Sequence, residues 1–290
     1  MPNLGPFFVT GLAVGAIYAL SGVGLVVLYR ASGVLNFAYG AIGATGALLA
    51  WQLVELGQPE LVAWLVGVGL ATLLSVGYGR VLAPQLAYRG TVVKAVATLG
   101  FALVLLGFTR WYWSDDPRKL VLPTDTMGLS MIGVRVTGTR LIGFSLAVLI
   151  TIGVALFLNR TRLGLSMRAL ANNRDLSALL GIRVLHVETW AWLISGVLAG
   201  LSGLMLGDLV RLDAIVLTFL VIPAMAAAVV GRLRSLTGTL IGGLLIGVLE
   251  AVGTPFQTIS PYRSVAPFIV AIIVILWLQR QRVITFAGRE

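Results

Sequence analysis

Ile269-Val270-Ala271-Ile272-Ile273-Val274-Ile275-Leu276 is a stretch that is apolar on every side, with no alternating polar residues. Similar stretches, separated by short charged links, recur along the whole 290-residue chain. Apolar residues make up 58% of the chain and charged residues only 11%, against roughly 25% charged residues in a soluble domain. Because so few charges cannot provide a polar surface, the composition excludes a soluble enzyme and a disordered chain. The absence of Cys excludes a disulfide scaffold, and a single His argues against a metalloprotein.

Nine apolar segments are long enough, or nearly so, to cross a bilayer as helices, which takes about 20 residues with roughly 17–25 tolerated. Strands of a membrane barrel would alternate apolar and polar residues, and these segments do not. The sequence therefore predicts an all-α integral membrane protein, a polytopic helical bundle of about nine transmembrane spans within one domain, residues 1–290. We expect the segments at 37–54, 214–230 and 237–253, which are short, to be the ones that are broken or partly re-entrant. The nine segments are 6–28, 37–54, 61–82, 91–113, 140–158, 187–206, 214–230, 237–253 and 264–280.

The charges are divided unequally between the two sides of these spans. If the loop 160–183 is placed in the cytoplasm, fourteen of the 21 basic residues face inside with only three acids, while seven bases and seven acids face outside. An excess of Lys and Arg on the cytoplasmic side is the usual signature of orientation. The sequence predicts an external N-terminus and a cytoplasmic C-terminus. The net charge of +10 then follows from the topology and from attraction to anionic lipid, and it does not indicate nucleic-acid binding.

Motifs for energy conversion and catalysis are missing. The two lysines, Lys94 and Lys119, are followed by Ala and Leu, so no P-loop is present. We therefore expect no cofactor and no metal on this chain, and no enzymatic activity. Glu250 is the one acidic residue that we place inside a span. It should be near a surface, paired, protonated or lining water, and both a functional and a structural role stay open.

The segment 160–183 carries the most information. It is too polar to span a membrane, yet Leu165, Ala169, Asn172, Leu176, Leu179 and Leu180 recur at spacings of three and four. This pattern predicts one or two short amphipathic helices on the inner surface, ending at Gly181. Such a helix either rests among lipid headgroups or docks into a groove of a cytoplasmic partner.

In three places the sequence resembles ATP-binding-cassette permeases for branched-chain amino acids. The first is 11–20, GLAVGAIYAL, together with 34–40, VLNFAYG. The third, at 230–250, begins VGRLRSLTG. The second is the coupling segment, 160–183, and the three matches together, in the family's order, are what is specific. Its matching residues are Arg160, Thr161, Gly164, Arg168, Ala169, Ala171, Ala178, Leu180, Gly181 and Ile182.

The resemblance implies a permease subunit of an importer, coupled to separate ATPases through 160–183. The implied partners are two cytoplasmic ATPase subunits that bind the ATP and magnesium, a second homologous or identical permease, an external solute-binding protein and membrane lipid, in the bacterial inner membrane. The implied coupling residues are Arg160, Gly164, Arg168, Ala171, Asn172, Asn173, Asp175 and Gly181. The implied substrate path includes Asn36, Phe37, Tyr39 and Gly40, and we add Glu250 to it.

The chain departs from the family pattern at a few positions. Tyr39 replaces the usual His or Gln, Arg232 and Arg234 replace Gly, and Ser177 replaces a small apolar residue. The substrate therefore stays open between branched-chain amino acids and related amide- or urea-like solutes. Two other classes also stay open: an ion-gradient-driven secondary transporter and a membrane-embedded enzyme, although the acid, His or Ser cluster that such an enzyme needs was not found in the spans.

Overall fold

The protein is a bundle of membrane-spanning helices with one short hairpin. The structure, a computed structural model, describes residues 4–114, 116, 118, 128–131, 134–210, 212–257 and 260–280. The long helices are α1 (Gly5–Ser32), α2 (Tyr39–Glu55), α3 (Glu60–Val81), α4 (Thr91–Trp113), α5 (Gly138–Arg160), α8 (Val184–Leu209), α11 (Leu236–Gly253) and α12 (Ala266–Arg280). The short helices are α6 (Arg162–Asn172), α7 (Arg174–Leu179), α9 (Ala214–Phe219) and α10 (Val221–Val230). The strands β1 (Gly128–Met131) and β2 (Val134–Thr137) pair antiparallel just before α5.

Helix α1 is the centre of the bundle. In its most apolar stretch 89% of the residues are buried, against 17% for α4 and 6% for the last spanning segment, Ser260–Trp277. It packs against α5, α6, α8, α10 and α11. A helix that is apolar all round is stable in water only when it is enclosed, and here other helices enclose it. The peripheral helices α3, α4, α5 and α12 leave apolar faces for lipid or for another subunit.

Close backbone contact between small residues holds the spans together. On α1, a Cβ added to Gly15 would lie 2.7 Å from the carbonyl oxygen of Gly243 on α11. A Cβ on Gly196 of α8 would lie 2.8 Å from Cα of Thr72 on α3. Lipid removes most of the hydrophobic drive between helices, so backbones that approach this closely supply the attraction by packing. Glycines spaced four apart, such as Gly11 and Gly15 on α1 and Gly196 and Gly200 on α8, are therefore helix contacts.

Seven helical segments in the described part of the chain are long and apolar enough to cross a membrane. The prediction of about nine spans also counted the segments 37–54 and 214–230, which are not among these seven. Helix α2, over the predicted 37–54, is continuous but has only 17 residues and is mostly buried inside the bundle. The segment 214–230 is broken into α9 and α10 at Leu220. The segment 237–253, for which we also expected a break, is the unbroken helix α11.

Pro223 explains the break between α9 and α10. A proline inside a helix lacks an N–H donor, and its ring clashes with the carbonyl four residues earlier. That residue is Phe219, where α9 ends. Asp213 caps the start of α9, because its Oδ1 accepts hydrogen bonds from the N–H groups of Ile215 and Val216, at 2.9 and 3.1 Å.

Several basic residues meet at one end of the bundle, where Arg30, Lys94, Arg174 and Arg234 line a common cavity. At the other end of α4, Trp113 Nε1 donates to Gln52 Oε1 at 3.0 Å. The all-α prediction is confirmed, with the β1–β2 hairpin as an addition, and the orientation of the two ends stays a prediction. Some of the counted charges lie outside the described residues: Asp115, Lys119, Asp125, Arg211, Arg282, Arg289 and Glu290.

Candidate functional site

The segment 160–183 forms two helices, α6 and α7, at the basic end of the bundle, and each begins at its own capping residue. Helix α6 begins after Thr161, whose Oγ1 accepts a hydrogen bond from the N–H of Gly164 at 3.2 Å. Helix α7 begins after Asn173, whose Oδ1 accepts from the N–H of Leu176 at 2.9 Å. Side chains of this kind satisfy N–H groups that the first turn of a helix leaves free. Two local caps therefore fix where the chain turns.

The buried face of this pair differs from the predicted apolar stripe. Gly164, Met167 and Leu170 face the bundle from α6, and Ser177 faces it from α7. Leu165, which we placed in the stripe, is 62% exposed. Leu176, Leu179 and Leu180 of the same stripe are exposed too, so the predicted stripe is not the face that packs on the spans.

The outward face of the pair contains most of the predicted coupling residues. Ala171, Asn172, Asn173 and Asp175 are exposed. Three apolar side chains of the predicted stripe join them: Leu176, Leu179 and Leu180, with Leu179 84% exposed. We call Ala171, Asn172, Asp175, Leu176, Leu179 and Leu180 the outward face. It combines exposed leucines with polar residues, as the central part of a docking surface does.

The remaining predicted coupling residues shape the pair. Gly164 sits against the backbone of Leu158, at a place where a side chain has no room. Arg168 Nη1 donates to Asn159 Oδ1 at 3.3 Å and links α6 to the end of α5. Gly181 has φ of +83°, a left-handed conformation that favours glycine and ends α7 as predicted. Arg160 is exposed as the last residue of α5.

An ion pair fastens α7 to the bundle. The guanidinium of Arg174 makes two hydrogen bonds to the carboxylate of Glu188 on α8, and Glu188 is 7% exposed. Breaking a buried pair by removing one partner leaves an uncompensated charge, at about 3–5 kcal/mol. The ion pair therefore fixes α7, which carries part of the outward face, to α8.

A second candidate site lies inside the bundle, between α1, α2, α8 and the α9–α10 break. The Tyr39 hydroxyl accepts a hydrogen bond from Ser202 Oγ at 3.5 Å. The cavity around it has a volume of about 10 Å³, which holds about one water molecule. Its lining is Ser21, Tyr39, Gly40, Gly43, Ala199, Ser202, Gly203, Leu206, Leu217, Leu220 and Val221. Two of the predicted path residues, Tyr39 and Gly40, are among them.

The other two residues of the predicted 36–40 path do not line this cavity. The N–H of Phe37 donates to Thr98 Oγ1 on α4 at 3.1 Å. Asn36 is 2% exposed, and its Oδ1 accepts from the N–H of Ala38 at 3.0 Å. Its Nδ2 is buried and has no hydrogen-bond partner among the described residues. The segment docks the start of α2 onto α4 and leaves one amide donor unused.

Glu250 lies apart from that cavity, on α11, where its Oε2 accepts a hydrogen bond from the Tyr18 hydroxyl of α1 at 2.9 Å. Arg263 lies near this pair and within electrostatic range of it. Of the alternatives for Glu250, the structure shows a paired carboxyl group at the α1–α11 contact. It does not bring Glu250 together with Tyr39 and Gly40 in one cavity.

Sequence reasoning missed Ser21 and Ser202 as cavity residues. Both are small polar residues inside otherwise apolar, glycine-rich spans, and each is buried. That isolation was the available signal, because a hydroxyl within the bilayer needs a partner or a functional role.

Comparison with known proteins supports a transport role. A family described as "Branched-chain amino acid transport system / permease component" matches residues 7–277. The chain is 28% identical to the high-affinity branched-chain amino acid transport system permease protein BraD of Pseudomonas aeruginosa, over 93% of this chain and 92% of that protein. It is 31% identical to the probable branched-chain amino acid transport permease protein LivH of Methanocaldococcus jannaschii, over 82% and 77%.

Among solved structures, PsaBC from Streptococcus pneumoniae in complex with Fab aligns with 93% of this chain and 88% of that chain, at 15% identity and a TM-score of 0.49. A likeness this distant adds nothing to the assignment, which rests on the sequence matches. Those relatives are transport permeases, which confirms the prediction of a transport subunit rather than an enzyme. The chain belongs to the family of permease components of branched-chain amino acid transport systems.

Proposed function

We propose that this chain is the membrane permease of an ATP-binding-cassette importer, and that its outward face on α6–α7 receives the ATPase subunits. Family membership supports the transport role. The observation that carries the coupling role is the geometry of α6–α7, which is anchored on one side by Met167, Leu170 and the Arg174–Glu188 pair and open on the other. The leucines of the outward face do not pack on the spans, since Leu179 is 84% exposed, and they are available to a partner.

The proposed assembly has several parts. Two ATPase subunits bind the ATP and magnesium and each grips an α6–α7 pair of one permease, while a second homologous or identical permease completes the membrane part. A solute-binding protein delivers substrate on the opposite side. Nucleotide binding then shifts the permease between two states only if the ATPase contacts α6–α7 differently in each of them.

The proposed substrates are branched-chain amino acids, for which the relatives are named, with related small amide- or urea-like solutes as the alternative. The route passes the cavity at Tyr39, Gly40 and Ser202. Because this cavity holds about one water molecule, the route is closed in this conformation. The break at Leu220 borders the cavity, and a broken helix can move in its two halves without losing further backbone hydrogen bonds. We place the gating movement there.

The proposed location is the bacterial cytoplasmic membrane, with the basic end of the bundle inside. The cavity lined by Arg30, Lys94, Arg174 and Arg234 supports this orientation, since basic residues are enriched on cytoplasmic ends. It gives an external N-terminus and an internal C-terminus.

The test is reconstitution of the full importer with two variants on the outward face, Ala171→Trp and Asp175→Arg. Both residues are exposed, so we expect normal insertion and folding. ATP-driven uptake and substrate-stimulated ATPase activity should fall to less than about a tenth, because a lost interface of this kind costs more than about 1.4 kcal/mol. The matched control is Arg162→Gln, an exposed change at the start of α6 that lies outside the outward face.

Unchanged uptake in both variants would show that the outward face is not the coupling surface. Uptake that follows an ion gradient and needs no ATPase chain would instead support a secondary transporter. Substrate binding to the external partner protein distinguishes branched-chain amino acids from amides and urea.

A further inference from the structure

A cavity of about 290 Å³ lies at the basic end of the bundle, behind the α6–α7 pair. It is bounded by the end of α1, the start of α4, the helices α6 and α7 and the turn that joins α10 to α11. Its lining is Tyr29, Arg30, Ala31, Ser32, Gly33, Lys94, Leu170, Ala171, Arg174, Leu233 and Arg234. Four basic residues from four separate elements thus meet around one space, and none of the lining residues is acidic.

Among the described residues, three of these cations have no acidic group within salt-bridge distance. Glu188 pairs with Arg174, which leaves Arg30, Lys94 and Arg234, and Glu188 reaches Lys94 only through its longer-range field. Arg30 lies within electrostatic range of both Arg168 and Arg234, and it is only half-exposed. Like charges held together at a partly buried place repel each other, so the cavity has a deficit of one or more negative charges.

The turn that supplies Arg234 is built at a conformational cost. Arg232 and Leu233, two consecutive residues with side chains, have φ of +56° and +54°. The left-handed conformation costs an L-residue roughly 1–2 kcal/mol. Backbone hydrogen bonds hold the turn in place, from the N–H of Leu233 to Ala228 O at 2.8 Å and from the N–H of Ser235 to Gly231 O at 2.7 Å. Strain that the surrounding structure maintains is concentrated at functional sites.

We propose that this cavity binds a phosphate-bearing anion, held by Arg30, Lys94 and Arg234. Arginine offers a planar fork of N–H donors that matches a phosphate group, and ammonium adds a compact charge. The source that the placement favours is the headgroup of an anionic phospholipid, because Arg30 and Lys94 sit at the ends of two spans, where headgroups lie. A soluble phosphate would use the same groups. The site does not depend on the proposed coupling role, although Ala171 borders both.

The test measures binding of phosphatidylglycerol to the full-length chain in detergent by native mass spectrometry. The variant Arg30→Gln/Lys94→Gln/Arg234→Gln should bind the lipid about 100-fold more weakly, since each basic residue contributes about a fivefold factor. The charge-matched control is Arg89→Gln/Arg162→Gln/Arg183→Gln, which removes three exposed bases outside the cavity and should bind within about twofold of the original chain. The single change Arg234→Gln, at an exposed position, should weaken binding about fivefold and guards against misfolding of the triple variant.

A second arm uses lipid-depleted protein and compares inorganic phosphate with chloride at equal ionic strength. Phosphate protection against thermal unfolding that disappears in the cavity variant, without preferential lipid binding, supports the anion site and assigns it to a soluble phosphate. Lipid binding that depends on the cavity supports the headgroup. If the cavity variant and its control behave alike in both arms, the proposal is overturned.

Discussion

At the scale of single residues, the turn after α10 departs most from ordinary backbone geometry. Arg232 and Arg234 both stand where the resembling permeases have Gly, yet only the first of them has a positive φ. Comparison of the sequence with the family pattern marks both as unusual, because each places a charged residue at a position where glycine is usual. It could not show which one is strained, since φ depends on how Ala228 and Gly231 hold the turn.

We predict that Arg232→Gly stabilises the folded protein by about 1 kcal/mol, because Gly reaches the left-handed region without the Cβ clash. The measurement is thermal unfolding of the detergent-purified chain in phosphate-free buffer. Arg234→Gly is the matched control, and it should be neutral or destabilising, since its φ is ordinary. Equal stabilisation by both changes would mean that lost charge repulsion, and not strain, is responsible.

At the scale of elements, the sequence predicts the long helices well and the short ones less well. Apolar runs of 18 or more residues leave a spanning helix as the structure that satisfies the backbone in lipid. The pair α6–α7 was predicted as amphipathic, but the sequence did not show which face packs on the spans: Gly164, Met167 and Leu170 do so from α6. The boundary between the two helices was not located either, because the cap at Asn173 is one hydrogen bond that periodicity does not contain.

That cap gives a prediction of its own. Asn173→Ala removes the acceptor for the N–H of Leu176 and should destabilise α7 by about 1 kcal/mol, as is usual for a lost N-cap. Hydrogen exchange of the α7 amides should then be about fivefold faster. Asn172→Ala, a neighbouring exposed change outside the cap, should leave exchange of these amides unaltered. Faster exchange in the control as well would assign the effect to helix α6 instead.

The α1–α11 contact gives a second prediction at this scale. Gly15→Leu would place a side chain where Gly243 O and Leu244 Cα lie 2.7 and 2.9 Å from the Cβ position. The helices must separate, at a cost of about 1–3 kcal/mol for overpacking. Gly107→Leu on α4, where nothing lies within 4 Å of the Cβ position, should be tolerated. The yield of folded protein after detergent extraction separates the two, and equal yields would mean that α1 and α11 are not packed backbone to backbone.

At the scale of the whole molecule, charge and hydropathy predict the membrane class and its orientation, whereas the family was predicted from the resemblance of three motifs. The residues that line the cavity at Tyr39 were predicted only in part. Tyr39 and Gly40 were found through their motif, whereas Ser21 and Ser202 come from distant spans that meet only in the folded bundle. Glu250 was placed in the same path from its rarity inside a span, but its position against Tyr18 follows from the packing of α1 on α11.

The central claim is that the outward face of α6–α7 lies in the cytoplasm and is covered by an ATPase partner. Because the chain contains no Cys, a single Leu179→Cys change creates a unique thiol at a side chain that is 84% exposed. Leu56→Cys, 68% exposed at the opposite end, serves as the control for sidedness. The measurement is labelling by a membrane-impermeant maleimide in intact cells and in inside-out vesicles, with and without the ATPase subunits.

We expect the Leu179→Cys thiol to react only in inside-out vesicles and to be protected when the ATPase subunits are present, while the Leu56→Cys thiol reacts in intact cells regardless of them. Labelling of Leu179→Cys in intact cells, or equal labelling in vesicles with and without the partner, would contradict the account.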